Sequence, residues 1–509
     1  MKAQIISAFL ATFSAVVAAP LESRALPLVQ SNQLRRVLLR SELLAKADTL
    51  QGLAYASPER NRQIFTPGHK STYEWLFNSI SAMSDYYTVE YHEFLAPASI
   101  GGITVDGVRY SGTPMRDTAD GTPSGDLVAV PNLGCSAADY VGIDVVGKIA
   151  LILRGSCPFS DKNLLAGAAG AIGAVVYNAP DSPLTGTPVL NGPNPAFIPI
   201  ILLLRDKGLA LLGRIAAGPK TATMEVITVP QVTYNVIAQT KGGDQENVLV
   251  IGAHSDSVAA GPGMNDDGSG TIALLEVAQQ LSKFSVNNAV RFGWWAAEEV
   301  GLVGSTAYVR SLSPEELAKI TLYLNFDMLA SPNFIYAIYD GDGSAFNISG
   351  PPGSAAAEKL FEDFFDNDLD LNHVPTAFDS RSDYAAFAAA GIPVGGLFTG
   401  AEVLKTPEEV VLFGGKAGVA YDVNYHGVGD TIKNLNVGAW LQNTKAIAHA
   451  VATYAVSFAS LGIGKREETI AKREEWKQEV TARALDSSSF GAHDVSARSS
   501  PVVDPPVSI

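Results

Sequence analysis

Apolar positions recur at helical spacing in two stretches near the start of the chain. Over residues 34–53, leucines and alanines alternate with Arg, Lys, Glu and Asp, and over 70–84 Trp75, Leu76 and Ile80 share one face, so both stretches predict amphipathic helices. The period then changes. From about 95 to 230 short apolar runs (LVAVPNL, KIALILRG, IGAVVYN, FIPIILL) are punctuated by Gly and Pro, which predicts a small module made mostly of short strands. Beyond Val232 the rhythm becomes strand, loop, helix. NVLVIGAH, AVRFGWWAA, TLYLNFDM and GIPVGGLF are apolar throughout, and helical segments such as TIALLEVAQQLSKF lie between them. Strands without a polar face, alternating with helices, predict an α/β fold built on a mainly parallel, helix-flanked sheet. After Gly464, KREETIAKREEWKQEV reads as a charge-dense helix, and the patternless last 25 residues are expected to be disordered.

The two ends carry further signals. Residues 1–19, MKAQIISAFLATFSAVVAA, place Lys2 before a short apolar run and small residues before Pro20, the plan of a secretory signal peptide. A membrane span needs about 20 apolar residues, and neither this run nor any later one is long enough. The chain is therefore expected to be secreted, with the vacuolar lumen as the alternative destination, and no membrane association is expected. The dibasic pairs Lys465-Arg466 and Lys472-Arg473 predict that processing removes part of the segment beyond 465, with Arg35-Arg36 a weaker site. The resulting division is 1–19 signal peptide, 20–94 N-terminal helical part with a short propeptide at its start, 95–230 inserted module, 231–464 main α/β domain, and 465–509 charged helix and tail.

Composition narrows the function classes. Lys plus Arg number 36 against 52 Asp plus Glu, a formal charge of −16, which repels phosphate backbones and favours cations; no nucleic-acid partner is expected. Only two cysteines occur, which excludes a disulfide-built scaffold or a Cys-rich zinc module. In an exported chain Cys135 and Cys157 can form one bridge worth about 3 kcal/mol, the alternative being two buried thiols. Asn347-Ile348-Ser349 is an N-glycosylation sequon among Gly and Asp residues typical of an exposed loop.

The candidate chemistry lies where the strands of the third region end. His254 closes NVLVIGAH, Glu298 and Glu299 follow AVRFGWWAA, and Asp327 follows TLYLNF. Parallel α/β sheets bind ligands beyond the carboxyl ends of their strands. Asp266 in the loop GPGMNDDGSG and His426 in NYHGVGDT complete a set of imidazoles and carboxylates suited to a divalent ion such as zinc, or to two ions sharing a carboxylate. One glutamate of the Glu298-Glu299 pair is then left over as a proton acceptor.

In this order HSDSV, GPGMNDDGSG, WWAAEEVGLVGS, NFDMLASPN and YHGVGDT resemble the co-catalytic dizinc aminopeptidases, the family of secreted leucyl aminopeptidases and fungal vacuolar aminopeptidases. The resemblance covers about 233–464. It implies two zinc ions: His254 and Asp327 on one, Glu299 and His426 on the other, Asp266 bridging both, Asp256 orienting His254, and Glu298 as general base. Arg381 in SRSDYAAF and Tyr425 match positions that hold the substrate or its oxyanion in relatives, with packing as the equal alternative. The stretch VGKIALILRGSCPFSDKNLLAGAAGAIGAVVYN resembles a protease-associated domain. Relatives often place cysteines on both sides of the last histidine, where this chain has Asn424 and Gly429, so the loop must be fixed by packing. The activity implied is a monomeric aminopeptidase acting on peptides or proteins with a free N-terminus, large apolar N-terminal residues such as Leu preferred. A carboxypeptidase or dipeptidase of the same fold, and a non-catalytic binding protein, are the alternatives.

Overall fold

The structure is a computed structural model that describes residues 26–180, 188–190, 192–463 and 471–478. The expected signal peptide, Lys465-Arg466 and the patternless tail lie outside the described residues. Among the described residues no helix is long and apolar enough to cross a membrane.

Four parallel strands form the centre of the main sheet, in the order Val394–Phe398, Ile320–Phe326, Asp244–His254 and Asn288–Trp295. Antiparallel neighbours close it on both sides, Ala337–Tyr339 at one and Thr221–Thr240 at the other. The central strands read as unbroken apolar runs because both faces are covered: Val248 to Ile251 and Leu322 to Leu324 are 0% exposed. One face packs against Gly268–Leu281 and Val437–Tyr454, with Trp294, Phe326 and Trp440 in a single cluster; the other packs against Val303–Ser311 and Tyr384–Ala389, where Tyr323 stacks on Phe387 at 3.8 Å.

The N-terminal segment forms two helices rather than one, Ser31–Arg36 and Arg40–Ala56, because Leu39 takes an extended conformation between them. Leu43, Ala47, Leu50 and Ala54, one face of the second, are fully buried. The next helix is Pro67–Ser81, started by the Thr66 side chain and a first-turn proline.

The inserted module is not joined by flexible linkers. Tyr87–Val105 pairs along its whole length with Thr221–Thr240, so one antiparallel ribbon carries the chain out of the main sheet and back. Ser124–Ala129, Ile149–Leu153, Gly173–Tyr177 and Ile200–Leu203 form a parallel sheet in the module. Two helices cover it, Phe159–Ala168 and Arg205–Ala216, which the strand-dominated reading of this region did not anticipate. Cys135 and Cys157 form a disulfide in the module.

Candidate metal centre

Three strands deliver their ends to one crevice. His254 is the last residue of its strand and pairs in register with Trp295, so the turn after Trp295 brings Glu298 and Glu299 beside it. Asp327 follows Phe326 on the other neighbouring strand. Asp266 and His426 arrive on loops. The crevice opens as a cleft of about 370 Å³ lined by Asp266, Glu298, Glu299, Asp327, Arg381, Tyr425 and His426, among others.

The carboxylate of Asp266 lies between two imidazoles. Its Oδ1 is 3.1 Å from Nε2 of His254 and its Oδ2 is 2.9 Å from Nε2 of His426. Asp327 Oδ1 stands 3.6 Å from the first ring, and Glu299 Oε2 stands 3.0 Å from the second. Asp266, Glu299 and His426 form a group in which one ligand atom of each lies within 4.8 Å of the others, and His254, Asp327 and Asp267 form another. Asp267 sits there as a brace, since its two oxygens accept from His254 N, Gly270 N and Met328 N. Both of its oxygens are thereby committed.

Burial without partners makes this set fit a cation. His254 Nδ1, Asp266 Oδ2, Glu299 Oε1 and Asp327 Oδ1 are all buried and have no properly directed hydrogen bond. Buried polar atoms are almost always satisfied, so the orphaned oxygens of Asp266, Glu299 and Asp327 around the two imidazoles call for an ion. Burial works against the charged imidazolium, yet the surrounding carboxylates, Asp327 first for His254 and Glu299 for His426, hold the former well above its usual range and push the latter up to about 10. Burial pushes Glu298 well up, with Glu299, Asp383 and Asp327 adding to it and His254 opposing. Imidazole with carboxylate oxygen is a zinc donor set.

Other residues hold these groups in place. Asp256 Oδ1 accepts from Glu298 N at 3.2 Å and Oδ2 from Glu299 N at 3.4 Å, while Oδ1 stands 3.7 Å from His254 Nδ1, so its bonds here go to the glutamate backbone. Ser382 donates to Asp327 Oδ2 at 2.7 Å. Asp430 accepts from Asn265 N and Asp266 N and fixes the loop that presents Asp266. The His426 loop, without the flanking cysteines, is tied by Asn424, which donates to Asn434 Oδ1 at 2.7 Å and packs so closely on Gly429 that a Cβ there would lie 2.0 Å from its side-chain oxygen. Asn434 in turn donates to Asp422 and Asp430.

Arg381 and Tyr425 share the cleft wall. Arg381 pairs with Glu402 at 2.9 Å and donates to the Tyr425 hydroxyl at 3.3 Å, and Tyr425 stacks on His426 at 3.8 Å. Asn347 is exposed in its loop. Asp430, Ser382 and Asp383 escaped the reading of the sequence, although each is within four residues of a residue it singled out. Arg116, which reaches the cleft from the inserted module, had no local signal at all. His92, His373 and His449 bond to Ser311 and Asn235, Asp366, and Ser31 respectively and belong to neither group, while His69 bonds to Ser255, beside His254.

Residues 235–451 match the model of Peptidase family M28, and 123–211 match that of the PA domain. Over 442 residues the chain is 50% identical to leucine aminopeptidase 2 of Arthroderma otae, covering 85% of this chain and 87% of that one. The chain belongs to peptidase family M28. Leucine aminopeptidase 2 of Trichophyton equinum is likewise 50% identical over 440 residues, with 85% of this chain and 87% of that one covered. Among solved structures, the crystal structure of a zinc aminopeptidase from Bacillus subtilis aligns with a TM-score of 0.64 at 26% identity, over 81% of this chain and 95% of that one. M28 membership thus joins the fold, the inserted PA domain and the crevice in one account.

Proposed function

We propose that this M28 peptidase is a zinc aminopeptidase that removes N-terminal residues, Leu and other large apolar ones in particular, from peptides and proteins. The observation that carries the reading is the Asp266 carboxylate between the His254 and His426 rings. It supports a pair of ions, with His254 and Asp327 holding one, Glu299 and His426 the other, and Asp266 shared. Zinc bound there would polarise the scissile carbonyl and acidify a water molecule. Glu298 belongs to neither ligand group and is 8% exposed on the same cleft, where its carboxylate takes the proton of the attacking water and returns it to the leaving amine. The carboxyl groups of Asp327 and Glu298 line the cleft as acceptors for a protonated α-amine. Tyr425, held by Arg381, faces the same space and is the donor we assign to the developing oxyanion. Arg381 is already paired with Glu402, so it is not free to grip a C-terminal carboxylate as a carboxypeptidase would require of it. The full ligand set and the base also speak against a non-catalytic binding protein. Export through the signal-like leader would bring the enzyme to peptides outside the cell or in the vacuole.

The reading is tested by comparing hydrolysis of Leu-p-nitroanilide and of acetyl-Leu-p-nitroanilide by the same preparation. Cleavage of the first, abolished by chelation, with no measurable cleavage of the second is expected. Comparable rates on both substrates would overturn the exopeptidase assignment.

A further inference from the structure

A third group of carboxylates lies outside the crevice. The chain leaves strand Ala337–Tyr339 as Asp340-Gly341-Asp342-Gly343-Ser344, and Glu358 stands on the helix Ser354–Phe364 that follows. Asp340, Asp342 and Glu358 each bring one carboxylate oxygen within 4.8 Å of the others. In each, one oxygen is committed to the backbone. Asp340 Oδ2 accepts from Ala345 N and Phe346 N, Asp342 Oδ1 from Ser344 N, and Glu358 Oε2 from Gly341 N and Asp342 N.

Of the remaining oxygens, Asp340 Oδ1 has no directed hydrogen-bond partner. Asp340 is 0% exposed, and its Oδ1 is buried. Glu358 is 7% exposed. None of the three carboxylates pairs with a Lys, Arg or His among the described residues. Up to three carboxylates therefore gather with a buried, orphaned oxygen among them and no basic side chain beside them, an arrangement that a bound cation would balance. The donors are all hard oxygens, with no imidazole or thiolate, which selects against zinc and for calcium. The spacing 340, 342, 344 is that of the first three oxygen ligands in a calcium-binding loop, with a flexible glycine after each aspartate. Asp342 is exposed, which leaves a side open for ion entry and for the waters that complete a coordination shell of six to eight oxygens.

We propose that Asp340, Asp342 and Glu358 form a calcium site, separate from the zinc crevice. Its structural consequence follows from position. Tyr339, next to Asp340, lines the substrate cleft and stacks on Phe378 at 5.0 Å, so calcium would fasten the 340–358 loop behind one wall of that cleft. With a partly exposed ligand set, affinity belongs in the range of about 10⁻⁴–10⁻³ M found for extracellular calcium modules.

The test uses the full-length, zinc-loaded protein in chelator-treated buffer, followed by thermal unfolding as CaCl2 is raised to about 10 mM. A saturating rise in Tm of about 2–4 °C is expected, with MgCl2 giving little. Glu358→Gln keeps an acceptor for Gly341 and Asp342 but removes a charge; it should abolish the rise. Asp342→Asn, on the exposed turn, should move saturation to at least about tenfold higher CaCl2, and it decides the matter if the first variant does not fold. Zinc content and Leu-p-nitroanilide turnover without calcium should match wild type in both. No Tm response in wild type, an equal response to MgCl2, or a response unchanged in Asp342→Asn would overturn the calcium site.

Discussion

Which buried atoms have partners separates the metal-facing residues from their braces. Asp266 and Asp267 are neighbours of the same type, yet Asp267 spends both oxygens on three backbone N–H groups while Asp266 turns its own to two imidazoles. Glu298 and Glu299 divide in the same way: Glu299 lies 3.0 Å from His426, and Glu298 stands apart from both ligand groups. Glu298→Gln should therefore keep the zinc content of the wild type and lower kcat by at least about 10²–10⁴, read from metal analysis and Leu-p-nitroanilide kinetics on one preparation. A loss of zinc in parallel with kcat would make Glu298 a ligand instead. Strand ends made these positions legible in the sequence, because a charged residue closing an apolar run has no place in a core. The braces were not legible. Asp430 acts through backbone N–H groups of Asn265 and Asp266, more than 160 positions away, and nothing local to Asp430 announces that contact.

At the scale of single elements, two helices carry testable consequences. His449 on Val437–Tyr454 bonds to Ser31 Oγ at 2.7 Å and stacks on Phe364 at 4.4 Å. Burial pushes its imidazole down to about 4, with Arg35 adding to the effect and Asp368 opposing it. A folded value below the unfolded value of about 6.5 means that the stabilisation is fully present above pH 6.5 and is lost as the pH falls toward 4, amounting to about 3 kcal/mol in all. His449→Gln should accordingly flatten the fall in Tm between pH 6.5 and 4, and an unchanged difference between variant and wild type across that window would refute this. The charged segment after 464 also proves more than a solvated helix. Over 471–478 it is helical, and Arg473, 6% exposed, donates to the Ile320 carbonyl at 2.6 Å. The segment packs at Gly391, where a Cβ would lie 3.1 Å from Arg473. Lys472-Arg473 is thus a poor processing site in the folded protein. Truncation after residue 464 should lower Tm by about 2–5 °C relative to truncation after 480, measured by calorimetry. Equal Tm values would show the docking to be inconsequential. The helical period of this segment was readable in the sequence, but charge density alone suggested solvent on every side.

At the scale of the whole molecule, hydrophobic period decided the class of fold: fully apolar strands between helices require a sheet covered on both faces, and the parallel centre is of that kind. The same reasoning was weaker in the inserted PA domain. Its helices Phe159–Ala168 and Arg205–Ala216 are short and adjoin apolar strand runs, with which they merged in the reading of the sequence. The ribbon of Tyr87–Val105 and Thr221–Thr240 was also hidden, since strands over a hundred residues apart in sequence reveal their pairing only in three dimensions. That ribbon carries the inserted region, and Arg116, just ahead of the PA domain, lines the cleft. In the proposed mechanism the crevice works with two ions sharing Asp266. Protein stripped with a chelator and titrated with zinc, with Leu-p-nitroanilide turnover read at each step, tests it most directly. Negligible activity is expected in the stripped protein, with recovery complete only near two equivalents; full recovery at one equivalent, with no change on adding a second, would rule out the shared pair of ions.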